Sequence, residues 1–109
     1  MKKTPYIKWY QNTENVYIEI LNYSNNDNII FKDILYYEDD IYKLELDFFQ
    51  DCILDNTIYT PNILTLILKK QTNIEWKQLL KDKNKYSYFI SINWDKLIMN
   101  DIFLKNNVD

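Results

Sequence analysis

Few side chains in this sequence can do covalent or metal chemistry. Cys52 is the single cysteine, and a lone thiol provides neither an intrachain disulfide nor a cysteine-based zinc site. Its neighbours Phe48, Phe49, Ile53 and Leu54 point to a buried, inert thiol. There is no histidine, which removes the usual acid–base group and the commonest metal ligand. Glycine is also absent, so Walker and dinucleotide-binding loops are ruled out. No catalytic residue, metal site or cofactor is expected. What remains is recognition chemistry. Trp94 lies in Asn93-Trp94-Asp95-Lys96-Leu97, past the last clear extended run, where a core role is least forced. An exposed aromatic anchor can carry about 2 kcal/mol or more when an interface buries it. Leu97, Ile98 and Met99 would extend it into an apolar patch. The competing reading folds them back onto the domain. Lys81, Lys83 and Lys85 form a basic cluster that either meets an acidic surface or solvates a turn.

The totals bound the partners. A chain of 109 residues that is 47% hydrophobic is one domain with enough apolar mass for a core without disulfides or metal. The net charge is −3 and all the basic residues are lysine, so no nucleic acid is expected as a partner. The longest apolar run, Ile63 to Leu68, is too short to span a bilayer. Met1-Lys2-Lys3-Thr4-Pro5 lacks the apolar stretch of a signal peptide. The expected setting is cytoplasmic and reducing, and the expected state is a monomer.

The elements that must position these residues are mostly strands. Pro5 to Leu21 reads as a hairpin around Asn12-Thr13-Glu14-Asn15, with Val16, Ile18 and Ile20 on one face and Tyr17 and Glu19 on the other. Asn28–Phe31 and Ile34–Glu38 are short strands. Ile41–Phe49 alternates, with Tyr42, Leu44, Leu46 and Phe48 on one side and Lys43, Glu45 and Asp47 on the other. Asp51 to Asn62 reads as a connection ending at Pro61. Ile63–Lys70 reads as a strand; its β-branched content, short length and flanking Pro61 count against a buried helix. Thr72-Asn73-Ile74-Glu75 matches a capping box, and Trp76, Leu79 and Leu80 follow at helical spacing, which predicts a short helix ending near Asp82. Lys81–Lys85 is a turn, Tyr86–Ile92 an eighth extended run, and residues 93–97 one helical turn. A domain over residues 1–99 with a polar tail over 100–109 is expected. The fold class predicted is all-β: an antiparallel β-sandwich, immunoglobulin-like and HSP20-like, of seven to eight strands with one short helix near the C-terminus. Trp9 belongs in its core; for Trp76, packing and binding roles both stay open.

The order of these motifs resembles the CS-domain superfamily. The resemblance is carried by Lys8-Trp9-Tyr10-Gln11, Val16-Tyr17-Ile18-Glu19, Tyr42-Lys43-Leu44-Glu45-Leu46, Phe49-Gln50-Asp51-Cys52-Ile53, Leu66-Ile67-Leu68-Lys69-Lys70 and Trp76, and covers nearly the whole chain. Within the superfamily the C-terminal part looks like the small acidic co-chaperones of heat shock protein 90, the twenty-three-kilodalton type. Trp76-Lys77-Gln78-Leu79-Leu80-Lys81 is similar to their Trp-Pro-Arg-Leu-Thr-Lys, with Lys77 and Gln78 replacing Pro-Arg. Tyr88 to Leu97 is similar to their extra strand and its Asp-Phe-x-x-Trp ending, with Asn93, Trp94 and Leu97 in place of Asp, Phe and Trp.

The resemblance implies a non-enzymatic co-chaperone. It would bind the ATP-bound, closed dimer of heat shock protein 90 and slow its ATP turnover by shifting populations. The implied binding surface comprises Trp76, Leu79, Lys81, Ile90, Ser91, Asn93, Trp94 and Leu97. Asn106-Asn107-Val108-Asp109 does not match the long acidic tail of those relatives, so independent holding of unfolded clients is not expected. One alternative is a CS adaptor domain that binds another client or chaperone face irrespective of nucleotide. Another, also implied by the resemblance, is a glutathione-dependent prostaglandin E synthase-like isomerase with Tyr10 in the matching place. A lone Tyr with no His and no Arg is a poor catalytic constellation.

Overall fold

Alternation of apolar and polar side chains builds two sheets that close face to face. The computed structural model describes residues 1–97. Its strands are β1 (Ile7–Gln11), β2 (Asn15–Leu21), β3 (Asn28–Phe31), β4 (Leu35–Glu38), β5 (Lys43–Leu46), β6 (Cys52–Thr60), β7 (Ile63–Lys70) and β8 (Ile90–Ile92). Five form one sheet in the order β6-β7-β2-β1-β8, and three form the other as β3-β4-β5. The architecture is the predicted β-sandwich, with one short helical turn at residues 94–97. The expected tail, the domain boundary at residue 99, and Ile98 and Met99 lie outside the described residues.

The hairpin forms in the predicted register, with Ile7 opposite Ile20 and Gln11 opposite Val16. Val16, Ile18 and Ile20 are fully buried against Leu35, Leu44, Leu46 and Leu64, Leu66 and Leu68. Trp9 joins them at 5% exposure. With no glycine available, asparagine supplies left-handed turn positions at Asn22, Asn26 and Asn62. Tyr86 is also left-handed, at φ 57°, a conformation that costs a non-glycine residue roughly 1 kcal/mol or more.

Four sequence expectations are corrected. Asp51–Asn62 is not a connection: Cys52–Thr60 is a full strand, and Pro61-Asn62 is its two-residue turn into β7. Proline at the first central position and left-handed Asn62 (φ 72°) suit a type II turn. The strand is not legible in the sequence because Asp55-Asn56 interrupts its alternation where the register shifts between Leu54 and Asn56. A bulge of this kind, on an edge, breaks the period-2 pattern.

The second correction concerns the segment after Thr72, which forms no helix. Its groups bond elsewhere: Trp76 N–H donates to Gln11 Oε1 at 2.9 Å, Phe49 N–H to the Leu79 carbonyl and Lys81 N–H to the Asp47 carbonyl, both at 2.9 Å. Trp76, Leu79 and Leu80 are nonetheless all buried, at 2–3% exposure. An irregular ribbon laid across the sandwich opening buries these side chains without the cost of nucleating a helix.

The third and fourth corrections fall on the last strand. Only Ile90–Ile92 of the run Tyr86–Ile92 is strand, because Tyr86–Phe89 turns back on itself, with Phe89 N–H bonded to the Tyr86 carbonyl at 2.8 Å. The strand also runs parallel, not antiparallel, to β1. The long excursion through residues 71–89 returns the chain to the β1 side in that direction, as a parallel pair requires a crossover.

Candidate protein-docking surface

The C-terminal arm is held on the sheet by a clamp. Asn93 N–H donates to the Trp9 carbonyl at 2.8 Å, and Leu97 N–H to the Asn93 carbonyl at 3.0 Å. Asn93 thus caps the helical turn, a position its side chain favours. Its amide donates to Glu19 Oε1 at 2.7 Å, and Lys96 Nζ donates to Glu19 Oε2 at 2.6 Å. The Glu19 side chain is only 4% exposed, although it stands on the outer face of its sheet. The hydrogen bond that Lys96 donates to Glu19 raises the Lys96 pKa above its ordinary value. The Lys96 ammonium also lies 5.4 Å from the Tyr10 ring centroid, and Tyr10 stacks on Tyr17 at 4.5 Å. Charge, cap and aromatic platform together fix the turn against β1 and β2.

Trp94 projects from this fixed turn at 60% exposure. It borders a groove of about 350 Å³ with Trp9, Trp76, Ile92 and Leu97 among its apolar walls, and Glu75 and Lys77 among its charged ones. A rigid aromatic beside an apolar recess is what an interface anchor needs.

A second network braces the far wall. Gln11 Nε2 donates to the Trp76 carbonyl at 2.8 Å and Gln11 Oε1 accepts from Trp76 N–H. Lys70 Nζ donates to Gln11 Oε1 at 2.8 Å, to the Asn12 carbonyl at 2.9 Å and to the Ile74 carbonyl at 2.8 Å. Lys70 is buried, and desolvation holds its pKa below the usual lysine value. The irregular ribbon is thereby stitched to β1.

The sequence-predicted residues divide into groups. Trp94 and Leu97 meet at one groove, with Trp76 in its wall, and Asn93 holds the turn that carries them. Trp76 and Leu79 are core residues, so their side chains support the surface rather than present it. Ser91 is exposed beside Lys8 in register, and Ile90 is half-buried. Lys81 lies apart, 3.8 Å from Asp47 and lining a different recess. Glu19, Lys96, Gln11 and Lys70 were not foreseen as site residues. Alternation correctly placed Glu19 outward, but nothing local announces that the chain returns to cover it. Among the described residues, no group of His, Cys, Asp and Glu is arranged to hold a metal ion, and no helix is long and apolar enough to cross a membrane.

The described residues form a two-sheet β-sandwich of eight strands. Among solved structures, the chain is similar to the nuclear movement protein from E. cuniculi GB-M1, with a TM-score of 0.61 over 68% of this chain and 96% of that one. The two are 13% identical, so the likeness is one of fold. No protein-family profile matches the chain, and no curated protein matches it.

Proposed function

We propose that this chain is a non-enzymatic, cytoplasmic co-chaperone that docks on the ATP-bound, closed state of heat shock protein 90 and slows its ATP turnover. The observation that carries the reading is Trp94, solvent-exposed on a turn that Glu19, Asn93 and Lys96 hold in place. Because the anchor is already ordered, docking does not have to meet the full entropic cost of immobilising it. Binding to the closed state alone shifts the chaperone's population toward that state, which delays nucleotide turnover. Titration calorimetry with the chaperone and a non-hydrolysable ATP analogue tests this. Trp94→Ala is expected to weaken binding by about 2 kcal/mol with no change in thermal midpoint. An unchanged affinity would remove Trp94 from the interface.

A second reading is favoured by the burial of Trp76 and Leu79, which leaves much of the co-chaperone-type motif without exposed side chains. The chain is then a CS adaptor domain that binds its client with or without nucleotide. The fold likeness to a nuclear movement protein is in keeping with it. Binding that is equally tight without the ATP analogue selects this alternative. A catalytic role for Tyr10 has less support, because burial, the largest influence on it, raises the phenol pKa and so opposes the phenolate.

A further inference from the structure

Among the described residues, the edge of the larger sheet opposite β6 is formed by β8. Its register with β1, Ile7 beside Ile90 and Trp9 beside Ile92, turns the peptide groups of Phe89, Ser91 and Asn93 toward β1. Two of the resulting bonds are Ile7 N–H to the Phe89 carbonyl and Asn93 N–H to the Trp9 carbonyl, each at 2.8 Å. The peptide groups of Ile90 and Ile92 therefore face outward. Ile90 N–H is taken by the Tyr86 carbonyl at 3.0 Å. Among the described residues, the Ile92 N–H and the carbonyls of Ile90 and Ile92 have no backbone partner. Such an edge is a template for another strand.

Beside it lies a groove of about 210 Å³. Trp9, Ile90 and Ile92 line one part of it, and Lys77, Lys83 and Lys85 another. Lys85 lies 3.9 Å from Glu45, whereas Lys77 and Lys83 have no ion-pair partner among the described residues. Asp82 is the one carboxylate residue on the lining. In a chain of net charge −3 this is a local excess of positive charge, and it sits next to the open strand edge.

We infer that this edge and groove bind an extended acidic segment of a partner protein as an added strand on β8. Main-chain hydrogen bonds to Ile90 and Ile92 set its direction. The side chains on one face of the added strand turn into the groove, and the acidic ones among them meet Lys77 and Lys83. The proposal rests on the docking reading only in taking the ligand to be a polypeptide, and its main determinants are the lysines and the strand edge rather than Trp94.

The probe is a fluorescent peptide of sequence Glu-Ile-Glu-Ile-Glu, with a version N-methylated at alternate amides and a version carrying Lys in place of Glu. Anisotropy and amide spectra are recorded on the full chain. The acidic peptide should bind, shift the Ile92 amide and weaken with added salt. Alternate N-methylation should weaken it about fivefold per blocked bond. Lys77→Glu with Lys83→Glu should weaken it about tenfold or more; both lysines are exposed, so circular dichroism should be unaltered. The proposal is overturned if the Lys peptide binds as well, if N-methylation has no effect, or if the acidic peptide fails to bind at about 1 mM. Chaperone binding by Lys83→Glu alone separates the two claims, because Lys77 also borders the Trp94 groove whereas Lys83 lines only the groove beside β8. Peptide binding weakened by Lys83→Glu with chaperone binding kept supports this groove as a distinct site. A peptide that binds a chain unable to bind the chaperone supports the groove while overturning the co-chaperone reading.

Discussion

The ammonium of Lys70 lies 2.8 Å from the side-chain oxygen of Gln11, and that same oxygen accepts the backbone N–H of Trp76. One amide thereby joins β1, the end of β7 and the irregular ribbon that closes the sandwich. Gln11→Ala leaves the Trp76 N–H and carbonyl and one Lys70 donor without their partner. It is expected to cost about 2–4 kcal/mol, because each buried polar group left unpaired is penalised by about 1–3 kcal/mol. Lys70→Met retains the Gln11–Trp76 pair and should cost less, despite removing a charge. Urea midpoints for the two variants give the order, and a larger loss for Lys70→Met would reverse the assigned hierarchy.

The clamp on Glu19 makes a separate prediction. Glu19→Gln keeps an acceptor for Asn93 but removes the ion pair with Lys96. Lys96 is about half exposed, so solvent screening reduces the effect to about 1 kcal/mol. The loss should be local. Hydrogen exchange at Leu97 N–H should accelerate while the strand amides of β2 and β7 stay protected, and the Trp94 anchor should lose affinity through disorder. The raised Lys96 pKa means that the pair's contribution is fully present below the unfolded lysine value of about 10.4. It is lost as pH rises through the folded value, so the clamp is closed across neutral pH.

Acid sensitivity should trace to Asp39 on the smaller sheet's side. Its Oδ1 accepts Ile41 N–H at 2.8 Å and Tyr42 N–H at 2.6 Å. Its Oδ2 accepts Ser24 N–H at 2.8 Å and the buried Tyr37 hydroxyl. Burial acts to raise the pKa, but these hydrogen bonds outweigh it and hold the carboxyl below its ordinary value. The stabilisation is present above the unfolded aspartate pKa of about 3.9 and is lost as pH falls through the lower folded value. Asp39→Asn should remove that part of the acid dependence and cost about 2 kcal/mol at neutral pH. Unfolding curves from pH 7 down to about pH 2 compare the slopes; identical slopes would assign the titration elsewhere.

Cys52 should behave as a packing residue. Burial, and then the charge of Asp51, push its thiol up to about 12, so thiolate is scarce at neutral pH. Alkylation by iodoacetamide at neutral pH should be slow in the native chain and speed up in urea. Equal rates in both would contradict the half-buried placement.

The elements legible in the sequence share one property: their evidence is local. In β2, β5 and β7 every second residue is apolar, and the buried faces Val16-Ile18-Ile20, Leu44-Leu46 and Leu64-Leu66-Leu68 are the ones that alternation marks. The hairpin turn, the strand bounds of β7 and the one helical turn after Asn93 were also readable, because asparagine caps and polar turns act within a few residues. β6 was not readable, since a bulge and an edge position dissolve its period. Trp76, Leu79 and Leu80 were correctly marked as sharing a side, but 3.6-residue spacing is also satisfied by an irregular ribbon whose bonds go to Gln11, Asp47 and Phe49.

By itself, then, the sequence determined the two-layer class, the inward residues of the regular strands, and the absence of histidine and glycine chemistry. Tertiary structure alone decided that an outward Glu19 is covered, that Lys70 is buried among three oxygen acceptors, and that β8 runs parallel to β1. The reason is range. Periodicity reports which face of a strand is apolar, whereas the partner of a charged side chain arrives from residues as distant as Lys96 from Glu19 or Lys70 from Gln11. The cost of burying that charge is met only once the distant partner is in place.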